Sequence, residues 1–345
     1  MQIQVLGRAD ADAYDRFIRS QPTSLFYHSW TYKEFLKALI GCEEEYLIAR
    51  DGEAIRGALP LMRAAGGRGR VYNSLPYFGT SAGIIAEHDA AYCELARAYN
   101  ELARQPSTRA ATIVGSQFGP RRDAEALAHN FRDARIAQLT PLPEAGDHHD
   151  ELMARFDPSA RRNVRKAIDA GISVAIDPSA MPRLREMHQA GMRAIGGTPK
   201  ADRFFELVPS FFRPHDDFDV YVARRDGAPV AALLVFYLGR TVEYFVPAVD
   251  PPFRPLQPLA LLVATAMTDA ARRGFLWWNW GGTWPTQTGV YRFKKKWGAI
   301  ERPYSYYTQL NDDELRAWPR ERLLSTWPHF FVLPFNALVE QRSAS

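Results

Sequence analysis

The same order of predicted elements occurs twice in this chain of 345 residues, and the repetition limits the fold more than any other feature. Each copy begins with two β-rich runs joined by an Arg-Asp-Gly turn, and Asp-Gly is a favoured two-residue hairpin turn. A loop, an Ala- and Leu-rich helix and a short buried strand follow in each copy. The paired segments are the turns at 50–52 and 225–227, the helices at 90–104 and 259–273, and the strands at 111–114 and 275–280.

The repetition predicts an α+β (mixed α/β) fold of two similar domains, each a twisted mixed sheet flanked by helices. A polar stretch at residues 141–150 separates the two copies, and its adjacent histidines, His148 and His149, are interpreted as linker residues. The predicted domains are therefore residues 1–150 and residues 151–310, followed by an aromatic-rich tail at residues 311–345.

Two uses of the tail remain open. Residues 315–338 combine Trp, Phe and Leu with three prolines and several arginines. The segment either packs against the body of the protein or contacts a membrane surface, because aromatic residues beside basic ones favour the headgroup level.

Composition and motifs exclude several classes of protein. No apolar run approaches the length that spans a bilayer, and the charged start, with Arg8, Asp10 and Asp12, is unlike a signal peptide. Cys42 and Cys93 lack metal-ligand spacing and are expected to be reduced thiols. The expected location is cytoplasmic, with a peripheral position at the inner face of the membrane if the tail makes that contact. We find no Ser-His-Asp pattern, metal-ligand cluster or P-loop, so hydrolytic, metal-dependent and NTP-dependent activities are disfavoured.

The basic run at residues 289–298 is the strongest candidate for a binding site. It places three consecutive lysines between Phe293 and Trp297, directly after the Trp- and Gly-rich segment 276–283. Aromatic rings beside clustered cations suit a polyanion such as a nucleotide, a phosphate or an RNA end. The alternative is a solvated basic loop between two buried strands. The candidate substrate-binding residues here are Trp280, Gly281, Gly282, Tyr291, Lys295 and Lys296.

A second basic cluster lies on a predicted helix that begins after Asp157 and ends before Gly171. Arg161 and Arg165 are one turn apart on this helix, and Arg162 lies beside them. Such crowding repels unless an anion binds there or the side chains spread into water. We expect these three arginines to face the cleft between the two lobes and to bind phosphate. A solvated helix face is the alternative.

Three phrases together resemble the Fem-type (FemABX) family, and the segment NSLPYFGT at residues 73–80 adds to the resemblance. The phrases are SLFYHSWTYKEFL at residues 24–36, RRNVRKAIDAGISV at residues 161–174 and GVYRFKKKWGA at residues 289–299. The resemblance implies tandem GNAT-like domains that transfer amino acids from aminoacyl-tRNA onto peptidoglycan precursors. GNAT-like proteins of exopolysaccharide and cellulose synthesis are similar too, so the acceptor stays open between a peptidoglycan stem peptide and an aminosugar of a surface polysaccharide.

The resemblance also implies roles for individual residues. Lys294 matches the family's lysine that stabilises the oxyanion, and Phe293 would shape the acceptor pocket. Lys295 and Lys296 would follow the tRNA acceptor stem or a substrate diphosphate, and Lys33 would bind a substrate phosphate. The implied partners are the acceptor end of aminoacyl-tRNA and a nucleotide- or lipid-linked envelope precursor. Nothing in the sequence indicates the oligomeric state.

Two features of the sequence bear on the acyl donor and on the general base of the reaction. The loop at residues 250–259 has four prolines and no glycine, whereas a CoA pyrophosphate is held by backbone N–H groups that proline lacks. We therefore expect no cofactor, with aminoacyl-tRNA as co-substrate and acyl-CoA N-acyltransfer as the alternative. Glu243, Asp250 and Asp269 are base candidates only because they are acidic, and substrate-assisted transfer would need none. A non-catalytic glycan- or nucleotide-binding protein is a third hypothesis.

Overall fold

The computed structural model describes residues 1–64, 69–77, 81–118 and 122–334. Its strands are β1 Gln2–Val5, β2 Glu43–Glu44, β3 Leu47–Asp51, β4 Ala54–Leu59, β5 Met62–Arg63, β6 Arg70–Asn73, β7 Ile85–Ala86, β8 Thr108–Val114, β9 Phe131–Pro141, β10 Ser173–Ile176, β11 Phe218–Arg225, β12 Ala228–Leu238, β13 Thr241–Val249, β14 Trp277–Thr283 and β15 Ile300–Leu310. Its α-helices are α1 Ala11–Ser20, α2 Trp30–Ile40, α3 Asp89–Ala103, α4 Asp123–Ala126, α5 His148–Arg155, α6 Pro158–Asp169, α7 Met181–Ala194, α8 Asp202–Phe211, α9 Pro258–Arg272, α10 Thr288–Lys295 and α11 Arg320–Thr326.

The chain forms two compact units. Unit 1 contains Met1–Ile136 and Arg302–Ser345, and unit 2 contains Ala137–Glu301. The first boundary lies within β9, which runs to Pro141, and so comes earlier than the predicted join at residues 141–150. The tail that was predicted as a separate segment belongs to unit 1.

The polar stretch that was interpreted as a linker instead begins a helix. The Asp147 carboxylate accepts hydrogen bonds from the backbone N–H groups of His149 (2.9 Å) and Asp150 (3.1 Å), which is the N-cap arrangement. His148 and His149 are thus the first residues of α5. Polar residues are common both at the start of a helix and in linkers, so residue type alone does not distinguish the two.

Unit 1 contains the predicted N-terminal hairpin. Strands β3 and β4 pair in antiparallel register, and Gly52 at the turn has a φ of +58°, which glycine adopts without strain. One of its sheets has the order β1-β3-β4-β7, and a second set of neighbours runs β15-β8-β6-β5-β2. Helix α3 buries Tyr92, Leu95 and Tyr99 in the core of this unit.

The described part of the tail packs within unit 1. Leu315, Leu323 and Trp327 are buried, and Asn73 exchanges two side-chain hydrogen bonds with the backbone of Phe331, at 3.0 Å and 2.6 Å. These residues of the segment therefore pack against the body of unit 1, whereas Leu324 is exposed and residues 335–338 lie outside the described residues. Contact with a membrane stays a prediction. Over the described ranges, no helix has both the length and the apolar character that crossing a bilayer requires.

Unit 2 contains the strand order β10-β11-β12-β13-β14. Its first four strands are antiparallel neighbours, whereas β13 and β14 are parallel, with α9 as the crossover that a parallel pair requires. Helices α5, α6 and α9 supply apolar residues to one core with the sheet, and α7 contacts β12 and β13. The predicted mixed α/β class, with sheets flanked by helices, is confirmed.

The basic run forms a helix, α10, where a loop was expected. Phe293 and Trp297 lie one turn apart, and their rings make an edge contact with centroids 6.3 Å apart. Successive helical residues point about 100° apart, so three consecutive lysines cannot share one environment. The helix therefore turns Lys294 inward while Lys295 stays exposed.

Candidate functional site

The amino group of Lys294 is buried against the end of β14. The residue is only 6% exposed, and its Nζ donates to the carbonyl oxygens of Gly281 (3.2 Å) and Gly282 (3.1 Å) and to Thr283 Oγ1 (2.8 Å). An ammonium has three N–H donors, so these three oxygens satisfy it fully. Of the candidate residues, Lys294 thus contacts Gly281 and Gly282 directly, but it is buried and not at the mouth of a cleft.

A turn in β14 presents the two glycine carbonyls to Lys294. Gly281 has a φ of +73°, a conformation that residues with a Cβ rarely adopt, and its N–H donates to Asn279 Oδ1 at 2.9 Å. Asn279 Nδ2 in turn donates to both carboxylate oxygens of Glu243, at 3.0 Å and 2.9 Å. Glu243 and Asn279 are also the last register pair between the parallel strands β13 and β14. Hydrogen bonds thus connect the sheet to the turn that holds Lys294.

A second set of hydrogen bonds fixes Thr283. Its hydroxyl donates to Gln138 Oε1 at 3.0 Å, which leaves the oxygen free to accept from Lys294. Gln138 Nε2 then donates to the backbone carbonyl of Tyr291 at 3.1 Å, one turn before Lys294 on α10. The chain of bonds therefore starts and ends on the same helix, and it restricts the position of the amino group.

Burial lowers the pKa of Lys294 from 10.5 to about 8. Among the described residues no carboxylate lies within ion-pair distance of its Nζ, so nothing offsets the cost of removing the charge from water. A buried ammonium that contacts only neutral oxygens binds a negatively charged oxygen more strongly than any of them, because the local dielectric is low. The arrangement suits stabilisation of a developing oxyanion.

Trp280 belongs to an aromatic core and is not the open stacking surface that the sequence suggested. It is 3% exposed, and its Nε1 donates to Thr140 Oγ1 at 2.9 Å. Its ring lies 5.9 Å from Phe293 in an edge contact and 6.2 Å from Trp297 in a stacked one. Phe293 is only partly buried and also lines a pocket.

A pocket of about 750 Å³ lies on the other side of Phe293. It is formed where the end of α5 and the start of α6 meet α10. Four cationic side chains and one carboxylate line it, together with two phenylalanines, a serine and a glycine. The lining residues are Arg155, Phe156, Asp157, Ser159, Gly289, Arg292, Phe293, Lys295 and Lys296.

Lys295 and Lys296 both line this pocket but differ in environment. Lys295 Nζ lies 3.3 Å from Glu301 Oε1 and donates to Tyr291 Oη at 2.9 Å, and the Tyr291 hydroxyl also bonds the Glu301 carboxylate. Lys296 Nζ lies over the Phe293 ring, 5.1 Å from its centroid, and burial is the main cause of its lowered pKa. Tyr291 therefore positions Lys295, whereas Lys296 forms no ion pair with any residue that the structure describes.

The three arginines of the basic helix do not line the pocket. Arg161 Nη1 donates to the carbonyl of Phe156 at 2.8 Å and to that of Met153 at 3.3 Å, so it caps the end of α5. Arg162 and Arg165 are exposed on α6, whose apolar side contributes to the unit 2 core. The arginines that line the pocket are Arg155 and Arg292, which were not among the predicted site residues.

Lys33 lies in unit 1 in a setting that leaves little of its charge for a phosphate. The residue is 1% exposed, forms ion pairs with Glu34 and Glu44, and has its Nζ 3.6 Å from the Trp30 ring centroid. Two carboxylates already compensate the single ammonium. The predicted phosphate contact therefore has no support from the geometry of this residue.

The three acidic residues considered as bases are all engaged elsewhere. Both oxygens of Glu243 accept from Asn279, and Asp250 pairs with Arg183 at 2.9 Å. Asp269 lies 3.5 Å from Arg272, and burial raises its pKa. In the part of the chain that the structure describes, no group of three His, Cys, Asp or Glu side chains could hold a metal ion.

Sequence reasoning missed Gln138 and Thr283, which hold Lys294. Gln138 is 153 residues from the carbonyl to which it donates, and no local pattern reports such a contact. Thr283 was inside the Trp- and Gly-rich segment, but the side that it faces depends on the backbone turn at Gly281. Nothing in the sequence around Arg155 indicates a binding site. Arg292 belongs to the basic run at residues 289–298, but the prediction named only the lysines of that run as cationic ligands.

Comparison with known proteins identifies the type of fold that carries this site. Residues 154–295 match a family model described as an acetyltransferase (GNAT) domain. No curated protein matches the chain. The crystal structure of FemX is similar with a TM-score of 0.73 and 15% identity, covering 92% of this chain and 99% of that one.

Two further solved structures have the same fold. A conserved protein of unknown function from Bacteroides thetaiotaomicron has a TM-score of 0.61 at 10% identity, covering 90% of this chain and 100% of that one. The C-terminal domain of a putative lysylphosphatidylglycerol synthetase from Agrobacterium fabrum has a TM-score of 0.54 at 13% identity, covering 92% and 96%. The predicted tandem GNAT-like fold is thereby confirmed. Residues 154–295 thus match the GNAT acetyltransferase domain model, and the chain as a whole has the GNAT-like fold of FemX.

Proposed function

We propose that this protein is an aminoacyltransferase that moves an aminoacyl group from aminoacyl-tRNA to an amine of a cell-envelope precursor. The observation that carries the proposal is the buried Lys294 ammonium, which contacts three neutral oxygens and no carboxylate in the described structure. The residue also occupies the family position of the oxyanion lysine in the phrase GVYRFKKKWGA. Roles for Lys294 and Phe293 are part of the proposal.

The reaction requires stabilisation of one negative oxygen. The acceptor amine attacks the ester carbonyl of the aminoacyl group, a C–N bond forms, and the carbonyl oxygen becomes an oxyanion. Lys294 exchanges one of its neutral acceptors for this oxygen. The ester C–O bond then breaks, and the leaving ribose hydroxyl takes the proton that the amine loses. Because the substrate supplies the proton acceptor, the commitment of Glu243, Asp250 and Asp269 to other partners does not block the reaction.

The acceptor class rests on resemblance. The sequence phrases and the FemX fold favour an amine on a peptidoglycan stem peptide, and the GNAT-like proteins of polysaccharide synthesis favour an aminosugar of a surface polysaccharide. The similarity to a putative lysylphosphatidylglycerol synthetase domain is consistent with aminoacyl transfer in general. We propose that the protein acts on the cytoplasmic side, where aminoacyl-tRNA is available, with contact to the inner face of the membrane if its precursor is lipid-linked.

A second candidate is acyl-CoA-dependent N-acyltransfer, because residues 154–295 match an acetyltransferase model. The loop before α9 argues against it. This loop is a 3₁₀ turn at Pro251–Leu256, and α9 itself begins with Pro258. Prolines here remove the N–H groups that would hold a pyrophosphate at the start of the helix.

Transfer assays with the purified full chain test the two donors directly. We expect label from radiolabelled aminoacyl-tRNA to appear in an amine-bearing stem-peptide precursor or in a glucosamine-containing acceptor, and no label to appear from acetyl-CoA. The Lys294→Ala variant is the matched catalytic control. Transfer from acetyl-CoA alone would favour the second candidate. If neither donor is used, and Lys294→Ala retains full biological activity, a non-catalytic glycan- or nucleotide-binding role replaces both.

A further inference from the structure

Strands β13 and β14 separate close to Lys294. Their parallel pairing ends at Glu243 and Asn279, although both strands continue beyond that pair. Gly281, whose carbonyl accepts from Lys294 Nζ at 3.2 Å, lies two residues further along β14. We refer to the space between the separating strand ends as the strand gap, and Lys294 borders it on the β14 side.

Phe245 borders the strand gap on the β13 side. It is the extra residue of a β-bulge, because the register with β12 passes over it, from Val246 to Tyr244. Bulges change the direction of a side chain and are common next to active sites. The Phe245 ring stacks on Phe204 of α8, with centroids 5.7 Å apart and an angle of 11° between the planes. The two rings therefore form a fixed apolar wall at this edge of the gap.

The amino group of Lys200, in the connection between α7 and α8, lies against this wall. Its Nζ is 4.8 Å from the Phe245 centroid and 4.9 Å from the Phe204 centroid. Hydrogen bonds fix its backbone to α7, because the N–H donates to His188 Nε2 at 3.2 Å and the carbonyl accepts from Gln189 Nε2 at 3.4 Å. Lys200 is partly exposed. It therefore places an amino group on the β13 side of the gap, as Lys294 does on the β14 side.

Burial lowers the pKa of Lys200 from 10.5 to about 7. His188 is uncharged near neutral pH, because burial and then Lys200 lower its pKa to about 4. Asp202 lies 3.8 Å from Arg185, and Glu243 is committed to the hydrogen bonds described above. The other charged side chains of α8 and of the end of α7 are exposed, namely Arg193, Arg203 and Glu206. About half of the Lys200 amines are therefore uncharged at pH 7.

We propose that Lys200 accepts the proton that the acceptor amine must lose before it attacks the ester carbonyl. The inference rests on the proposed function, because it requires an amine acceptor. An aliphatic amine has an ordinary pKa of about 10.4, so fewer than about one in a thousand is uncharged at pH 7. Lys200 supplies the base that Glu243, Asp250 and Asp269 do not, because those carboxylates have other partners.

Two protons leave the attacking nitrogen, and they go to different acceptors. The substrate arrives as an ammonium and passes one proton to the lone pair of Lys200 Nζ, which leaves a neutral amine and a Lys200 ammonium. The neutral amine forms the C–N bond, and its second proton goes to the ribose oxygen as the C–O bond breaks. Lys200 then returns its proton to water. The faces of Phe204 and Phe245 attract the ammonium form, so this charge is stabilised until its proton is released.

Kinetics of two Lys200 variants of the full chain test the proposal. For transfer to a stem-peptide acceptor with a lysine amine, we expect Lys200→Met to lower the single-turnover rate at pH 7 by about 10²- to 10⁴-fold, the range of general base catalysis. Lys200→Arg keeps a cation beside the two rings but cannot accept a proton at this pH, so it should be as slow. Lys166→Ala, which removes an exposed lysine of α6, is the control and should keep the wild-type rate. A wild-type rate in either Lys200 variant overturns the proposal.

An aminooxy analogue of the same acceptor distinguishes a base from a residue that only positions the loop. Its nitrogen is uncharged at neutral pH and needs no base, so both Lys200 variants should transfer to it nearly as fast as the wild type does. The wild-type rate should fall below about pH 7, where Lys200 becomes protonated, with the amine acceptor but not with the aminooxy one. Equal losses with both acceptors would assign Lys200 to positioning and overturn the proposal.

The choice of donor separates this inference from the proposed function. If the Lys200 variants are slow and only acetyl-CoA serves as donor, the proposed aminoacyl-tRNA donor is wrong and the role of Lys200 stands. If aminoacyl-tRNA is used and either variant keeps the wild-type rate, the base assignment alone is wrong. If no amine receives an acyl group from either donor, both proposals are overturned.

Discussion

Lys294 Nζ donates to Thr283 Oγ1 at 2.8 Å, the shortest of its three hydrogen bonds. The bond joins a cation on α10 to the end of β14, and Gln138 returns the connection to α10 at Tyr291. The ammonium is therefore held in place before any substrate arrives. Donors fixed in advance stabilise charge without reorganising in the transition state, which is the basis of the first three predictions.

Replacing Lys294 by alanine should lower the rate constant of transfer by about 10²- to 10³-fold, the effect that loss of one oxyanion donor has. The KM should change much less, since the lost interaction forms in the transition state. Steady-state and single-turnover kinetics measure both quantities. Lys166→Ala, an exposed lysine on α6, is the matched control and should keep the wild-type rate. A large KM effect with an unchanged rate constant would instead make Lys294 a substrate-binding residue.

Thr283→Val should lower the rate by about tenfold, because it removes the shortest hydrogen bond to Lys294 while keeping the side-chain volume. Thr283→Ser keeps the hydroxyl and should restore most of the activity. With one acceptor lost, the charged amine is less stable, so the alkaline limb of the pH profile should move to lower pH. An unshifted limb, or a serine variant as slow as the valine one, would assign Thr283 to packing alone.

Transfer should decline as the pH rises above about 8, where Lys294 loses its proton. The sign follows from burial, which lowers this pKa: the ammonium that the oxyanion needs is present below pH 8 and lost above it. Lys294→Arg should be slower but should not show this decline, because a guanidinium stays charged. The pH profile of the single-turnover rate for the two proteins decides the matter.

Stability should show the opposite pH trend to activity. The folded-state pKa of about 8 lies below the unfolded value of 10.5, so the unfolded chain binds more protons between these pH values. Wild type should therefore gain stability relative to Lys294→Met as the pH rises from 8 to 10. Denaturant unfolding of both proteins at several pH values measures the difference. A constant difference would mean that Lys294 titrates with its ordinary pKa.

Much of the fold could be predicted because its signals are local. The Asp-Gly turn predicted the β3–β4 hairpin, and the Pro158 and Gly171 signals gave α6 within one or two residues of its observed bounds. The repetition of these signals predicted two similar domains. The family resemblance singled out Lys294 among the three lysines, but its burial against Gly281 and Gly282 was not predicted.

Other features depend on contacts that no local pattern reports. The sequence did not predict helix α10, because three consecutive lysines usually indicate a solvent-exposed loop. The spacing of Phe293 and Trp297 fits one helical turn, but it indicates a helix only if both rings are known to pack on a core. The burial of Trp280 and the ion pairing of Lys33 are likewise tertiary effects. Charged clusters in the sequence therefore identified the right segments but not which side chains face a pocket.

Replacing Asn279 by aspartate should destabilise unit 2 by about 3–5 kcal/mol, because it places a second carboxylate against the buried Glu243 and removes its donor. The turn at Gly281 would also lose support, so Lys294-dependent activity should fall in the protein that still folds. Chemical denaturation measures the stability. Glu243→Gln in the same background relieves the repulsion and should recover part of the loss; no recovery would show that the two side chains act independently.

Arg161 and Arg165 should behave differently, although both belong to the same basic cluster. Arg161→Ala should destabilise the protein by about 1–2 kcal/mol, because its guanidinium bonds the Phe156 and Met153 carbonyls at the end of α5. Arg165→Ala should lie within about 0.5 kcal/mol of wild type, since that side chain is exposed on α6. Thermal unfolding gives the stability, and nucleotide titration gives the binding. If Arg165→Ala weakened nucleotide binding and flattened its salt dependence, the original phosphate-binding prediction for this helix would be restored.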